Sequence, residues 1–205
     1  MYVPGYSRNQ DMDEVKSFIK ENGFGILVSN AGNKLQATHI PLELSTNKNG
    51  KNILTGHISK ANPQWKNFKD DNHVLVIFNG PNSYISSSWY DHENVPTWNY
   101  IAVHVYGTVK IIEREKLVQA LKHLVDRYES ESVNPVSVEK MSEKFFSREL
   151  KGIIGFEIEI EEIHPAYKLS QNRDEKNHTN IVSELEKRGD YNSLAVAGKM
   201  KKYKQ

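Results

Sequence analysis

The chain has 205 residues, 27 Lys/Arg against 26 Asp/Glu, a net charge of +1 and no cysteine. That excludes a disulfide framework, thiolate chemistry and a thiolate metal site, and it gives no general pull toward nucleic acid. No apolar run is long enough to span a bilayer, and the N-terminus lacks the basic-then-apolar pattern of a secretory signal, so the expectation is a cytoplasmic protein with no membrane partner.

In chain order, Met1 to Tyr6 reads as extended. Asp11 caps a helix in which Val15, Phe18 and Ile19 recur at helical spacing, and Asn22-Gly23 ends it. Strands follow at Phe24–Ser29, Leu35–Leu44 and Asn52–Ile58, joined by Gly/Asn turns as an antiparallel meander. Pro41 interrupts the second and predicts an edge or a bulge. Asn62 and Pro63 start a short helix, Val74–Phe78 is a buried strand, and Ser87–Pro96 is a loop. Thr97–Ile112 is a long strand, with Gly107 at a bulge or a close approach. Glu113–Tyr128 is a helix with Leu117, Leu121, Leu124, Val125 and Tyr128 on one face, and Ser137–Phe146 is a shorter one. In Ile153–Ile163 the alternation puts Phe156 and Ile158 on one side and Glu157, Glu159 and Glu161 on the other, a half-exposed strand. Arg173–Arg188 carries one apolar stripe, and residues 199–205 read as a frayed basic end. Residues 164–205 carry +4 and residues 1–163 carry −3. Six strands with helices at the margins predict a mainly β fold with peripheral helices, a closed or split barrel. The expected division is 1–172 as the barrel domain and 173–205 as a C-terminal helical appendage with a basic tail, within one structural unit.

Three stretches carry candidate chemistry. Residues 79–107 interleave Tyr84, Trp89, Tyr90, Trp98, Tyr100 and Tyr106 with amides and histidines. Such a surface suits a flat ligand with a polar rim, and a tyrosine-rich packing strand is the equal alternative. At the exit of the third strand, Ser59, Lys60 and Asn62 offer a hydroxyl, an ammonium and an amide just before a helix start with free N–H groups. That is a phosphate cradle or a capped helix with an exposed lysine. Lys168-Leu169-Ser170-Gln171-Asn172-Arg173 packs two cations, two amides and a hydroxyl into a loop after a strand. The eight histidines show no helical ligand spacing, and no metal site is expected.

These segments resemble the PaiB family of FMN-binding negative transcriptional regulators. The matching pieces are Met1-Tyr2-Val3-Pro4, Ala37-Thr38-His39-Ile40-Pro41, Gly56-His57 with Ala61-Asn62-Pro63-Gln64-Trp65, Gly80-Pro81 leading to Tyr84-Ile85-Ser86 and Trp89-Tyr90, Val95-Pro96-Thr97-Trp98-Asn99-Tyr100, Ala102-Val103-His104 with Gly107, and Lys168 to Arg173. They span about residues 1–190 in the family's order. The resemblance implies an FMN-binding split β-barrel, Greek-key-like and homodimeric, with FMN at the subunit interface. Carried over, Ser59, Lys60 and Asn62 would meet the phosphate, and Thr38 and His39 would lie along the flavin. Trp98, Asn99 and His104 would come from the same or the partner subunit, and Lys168, Gln171 and Arg173 would close the site. Where many relatives of the wider superfamily place two or more arginines around the phosphate, this strand exit offers Lys60. The implied function is negative regulation through an indirect or ligand-linked mechanism, with a DNA or protein partner as a further expectation. The alternatives are a flavin-dependent oxidoreductase, with His104 and His39 as proton carriers, and a haem-binding or haem-degrading protein.

Overall fold

The computed structural model describes residues 1–68 and 73–204. Its strands are β1 (Phe24–Asn30), β2 (Leu35–Pro41), β3 (Glu43–Thr46), β4 (Asn52–Ser59), β5 (His73–Ile85), β6 (Thr97–Ile111) and β7 (Ile153–Lys168). Its helices are α1 (Met12–Glu21), α2 (Arg114–Glu129), α3 (Glu143–Leu150), α4 (Glu175–Arg188) and α5 (Tyr191–Lys202). The strands form one antiparallel sheet in the order β2-β1-β5-β6-β7-β4-β3. The fold is mainly β, a split barrel with peripheral helices, as the sequence leads one to expect.

Pro41 does more than mark an edge. The expected strand Leu35–Leu44 is two strands, with β2 paired to β1 and β3 paired to β4 at the opposite end of the sheet order. Proline supplies no N–H to a ladder, so the chain changes partners there. The sheet curls far enough for β2 to contact β4.

The chain forms two compact units, residues 19–77 with 105–163, and residues 1–18 with 78–104 and 164–205. In the first, Leu27, Leu42, Leu54, Val76, Phe156 and Ile158 are buried, and Phe68 meets Phe156 edge-on with ring centroids 5.5 Å apart. Gly107 is a close approach: a Cβ there would lie 2.1 Å from the Glu159 carbonyl oxygen, so no larger residue fits. In the second, Phe18, Phe78, Ile85, Ile101, Tyr167, Ile181, Leu185 and Val196 are buried.

Three further expectations are corrected. Residues 199–202 are the last turn of α5, where Met200 is fully buried, and Tyr203 packs against Tyr167 at 5.2 Å. The C-terminal segment is therefore packed structure rather than a frayed end. Glu157 does not face solvent: it is buried, with Lys116 and Lys110 at 3.3 Å and 3.8 Å. The expected helix Ser137–Phe146 resolves into a 3-10 turn at Val138–Lys140 and α3, which starts at the Ser142 cap.

Candidate functional site

In the unit of residues 19–77 and 105–163, β2 and the exit of β4 are stitched by side chains. Asn62 Nδ2 donates to Thr38 Oγ1 at 2.9 Å, and Thr38 Oγ1 donates to Gln64 Oε1 at 2.6 Å. Gln64 is fully buried, and its Nε2 donates to the Leu27 carbonyl, Ser29 Oγ and the Gln36 carbonyl at 3.0–3.2 Å. A buried amide with its polar atoms satisfied fixes its neighbours rigidly. Gln64 is the organising residue that the sequence reading passed over. Its signal is an amide immediately after Asn62-Pro63.

The expected free N–H groups are not free. The helix after Asn62 is a six-residue 3-10 helix, Pro63–Phe68. The N–H of Lys60 donates to the Gly152 carbonyl, that of Ala61 to Ser59 Oγ, that of Asn62 to the Ser59 carbonyl and that of Gln64 to Asn62 Oδ1. What remains for an anion is side-chain chemistry. Lys60 is exposed, its carbonyl is held by Trp65 Nε1 at 3.0 Å, and its ammonium has no acceptor among the described residues. With the Ser59 hydroxyl, whose oxygen accepts from the Ala61 N–H and whose proton is uncommitted among the described residues, it makes a donor pair suited to a phosphate, while the Thr38 proton is already given to Gln64. On the exposed face of β2, His39 lies against Phe24 with ring centroids 6.1 Å apart.

In the other unit, the loop after β7 is held by Asn99. That residue is fully buried, accepting from Ser170 Oγ at 3.1 Å and donating to Met200 Sδ at 3.3 Å. Asn99 therefore positions the loop. Ser170 has φ 58°, a left-handed conformation that costs energy in a non-glycine residue and gathers at functional loops. Gln171 closes the loop onto itself, accepting from the Leu169 N–H at 2.8 Å and donating to the Tyr167 carbonyl. Lys168 donates to Thr97 Oγ1, and burial followed by the Arg173 charge lowers its pKa. The Arg173 guanidinium sits 5.1 Å over the Tyr90 ring. Trp98, 53% exposed, meets Tyr84 edge-on at 6.0 Å. The pKa of His104 is lowered by burial first, then by the charges of the Met1 ammonium and His164, so its imidazole is neutral near pH 7.

The C-terminal cations are mostly paired. Lys176 meets Asp91 at 2.8 Å, Lys187 meets Glu184 at 2.6 Å, Lys201 meets Glu186 at 2.5 Å and Lys204 meets Glu175 at 3.3 Å. Lys202 pairs with Glu14, and Arg188 lies over Trp89 at 4.7 Å while donating to Ser83 and the Tyr84 carbonyl. The excess charge of residues 164–205 does not form a bare basic face. No helix among the described residues is long and apolar enough to cross a membrane.

The split barrel belongs to a flavin-binding class of protein, as comparison with known proteins shows. Residues 1–162 match the family described as "Putative FMN-binding domain", so the chain belongs to that family, whose cofactor is FMN. It is 44% identical over 197 residues to the Bacillus subtilis protein named "Protease synthase and sporulation protein PAI 2", a PaiB protein, covering 96% of this chain and 95% of that one. Among solved structures, the flavocytochrome Anf3 of Azotobacter vinelandii superposes with TM-score 0.59 at 17% identity, over 87% of this chain and 78% of that one. The FAD and haem binding protein of Mycobacterium smegmatis gives TM-score 0.58 at 12% identity, over 79% and 73%. At these identities the likeness concerns fold.

Proposed function

We propose that this protein is a PaiB-type negative regulator that binds FMN and acts through its ligand or a protein partner rather than by gripping DNA itself. The Bacillus relative's name ties it to protease synthesis and sporulation, and the 44% identity supports a related role here. The observation that carries the indirect mechanism is the pairing of the C-terminal cations with Asp91, Glu184, Glu186, Glu14 and Glu175. Tight DNA binding needs an unneutralised basic footprint.

For the cofactor, Lys60 with Ser59 takes the phosphate, while Asn62 and Gln64 hold Thr38 in place beside them. His39 on β2 borders the flavin. Trp98 and the neutral His104, in their own cluster, present the kind of wall a flat ring borders, and Lys168, Gln171 and Arg173 form the loop beside that cluster. FMN, when bound, supplies redox capacity, and the protein's part is to bind and orient it.

The working form is a homodimer in the cytoplasm. Phe24 and Leu35, 65% and 73% exposed, lie at opposite ends of the β1–β2 pair on the same face as the half-buried Ile26 and Val28, an apolar stripe that a second copy can cover. A second reading, a flavin-dependent oxidoreductase, draws on His104, whose neutral imidazole near pH 7 can accept a proton.

Purified protein separates these readings. FMN titrated by fluorescence quenching, with fluorescence anisotropy on promoter DNA, should show flavin binding and no tight DNA binding at physiological salt. Nanomolar DNA affinity would overturn the indirect mechanism. Rapid oxidation of reduced nicotinamide by the FMN-loaded protein would favour the oxidoreductase, and a Soret band would mean haem.

A further inference from the structure

The apolar stripe of α2 is not fully buried. Leu117 is buried, but Leu121, Leu124 and Val125 are half-buried and Tyr128 is exposed. Beneath the helix lies a cavity of about 630 Å3, walled by Leu44, Ile53, Leu117 and Leu124. That volume is in the range of small-molecule sites, roughly 300–1,000 Å3. Ser59, Lys60, Thr38 and His39 do not line it, so it is separate from the phosphate end of the flavin reading.

The polar side of the cavity carries an unbalanced charge. Lys116 Nζ lies 3.3 Å and Lys110 Nζ 3.8 Å from the same oxygen of buried Glu157. Two largely exposed ammonium groups thus share one buried carboxylate and leave a net positive charge at the mouth of the cavity. Each ammonium has three donors, so both have capacity for a second acceptor. Glu43, also in the lining, is paired through Oε2 with Arg127 at 2.6 Å, so its charge is balanced, while its buried Oε1 has no hydrogen-bond partner among the described residues. Burial keeps the pKa of His57 low, so this neighbour is neutral near pH 7 and offers one N–H.

We propose that this chamber binds an amphipathic monocarboxylate, its carboxylate bridging Lys110 and Lys116 and its hydrocarbon body lying between α2 and β4. A cationic head would meet two lysines and two carboxylates, Glu157 and Glu43, each already paired with a cation. A small polar anion would leave the apolar wall uncovered. The ligand therefore needs both a negative head and an apolar body.

Octanoate is the probe, with octylamine and acetate as controls, added to the full chain with and without FMN in isothermal titration. Octanoate should bind in both cases, about tenfold or more tighter than acetate, and octylamine should not bind. Ala120→Trp fills the chamber without touching a charge, and Lys116→Gln removes one ammonium while Lys110 stays beside Glu157. Each should weaken octanoate about tenfold with circular dichroism unchanged. Amide and imidazole shifts in the unmutated protein give an independent readout, and octanoate should move His57, Ala120 and Leu124. Absent binding at millimolar octanoate, preference for octylamine, undiminished affinity in the folded variants, or shifts confined to other residues would each overturn the proposal. Because titration without FMN is part of the design, failure of the flavin reading would be seen separately.

Discussion

Asn62 donates a hydrogen bond to Thr38 across 24 residues of sequence, and buried Gln64 accepts from the same hydroxyl. This triad ties the edge strand β2 to the exit of β4, so the hydroxyl is held in place before any ligand arrives. Gln64→Ala removes bonds to Leu27, Ser29, Gln36 and Thr38 and leaves a small cavity. At roughly 1 kcal/mol per net hydrogen bond plus the cavity term, urea unfolding should show a loss of about 2–4 kcal/mol. FMN affinity should fall with it. Unchanged stability would mean that the network does not support the fold.

The C-terminal helix gives a second prediction. Met200 is fully buried and receives the Asn99 amide at 3.3 Å. Met200→Ala should cost about 2–5 kcal/mol in urea or thermal unfolding. Deleting residues 199–205 should cost at least as much, because it also removes Tyr203 from Tyr167. Tolerance of the deletion would restore the view of a frayed tail.

Much of this was legible in the sequence. Val15, Phe18 and Ile19 spelled out the buried face of α1, and the turn residues between the early strands marked the β1–β2 and β3–β4 hairpins. Pro41 was visible as an interruption, but a local signal cannot say that a chain changes strand partner. Helix α5 is hard to read because its three lysines crowd its last turn and its small apolar residues give only a weak one-sided stripe, although Asp190 caps it through the Ser193 N–H at 3.0 Å. The alternation around Glu157 was read correctly, but the face it occupies lies under α2. Periodicity reports which residues share a face and not what covers it. Site residues were legible as types, since Lys60 and Ser59 carry the right chemistry. The buried supports Gln64 and Asn99 were not, because their roles depend on partners distant in sequence.

Protonation of buried histidines should set the acid limit of stability. Burial lowers the pKa of His57 below 6.5, so the unfolded chain takes up a proton that the folded state refuses. The unfolded state binds more protons as pH falls through 6.5, so stability is retained above that value and declines below it. His104 and His178 are shifted in the same direction. His57→Gln should flatten part of the fall in urea midpoint between about pH 7.5 and 5.5 and leave the rest. An identical pH profile in the variant would show that His57 titrates alike in both states.

Dimerisation can be tested at the β1–β2 face. Light scattering should give twice the chain mass for the unmutated protein. Leu35→Glu places a charge where a partner would cover an apolar side chain and should shift the protein to monomer. A native monomer, or a dimer insensitive to Leu35→Glu and Phe24→Glu, would locate the interface elsewhere or remove it.

The central claim is that the Lys60 ammonium holds the phosphate of FMN. A charge-assisted hydrogen bond of roughly 1.5–3 kcal/mol corresponds to about one to two decades in affinity. Titration of FMN and riboflavin into the unmutated protein and Lys60→Ala is the direct measurement. FMN should weaken by about one to two decades in the variant, while riboflavin, which has no phosphate, should be nearly unaffected. Equal losses for both flavins, or no loss for FMN, would contradict the assignment.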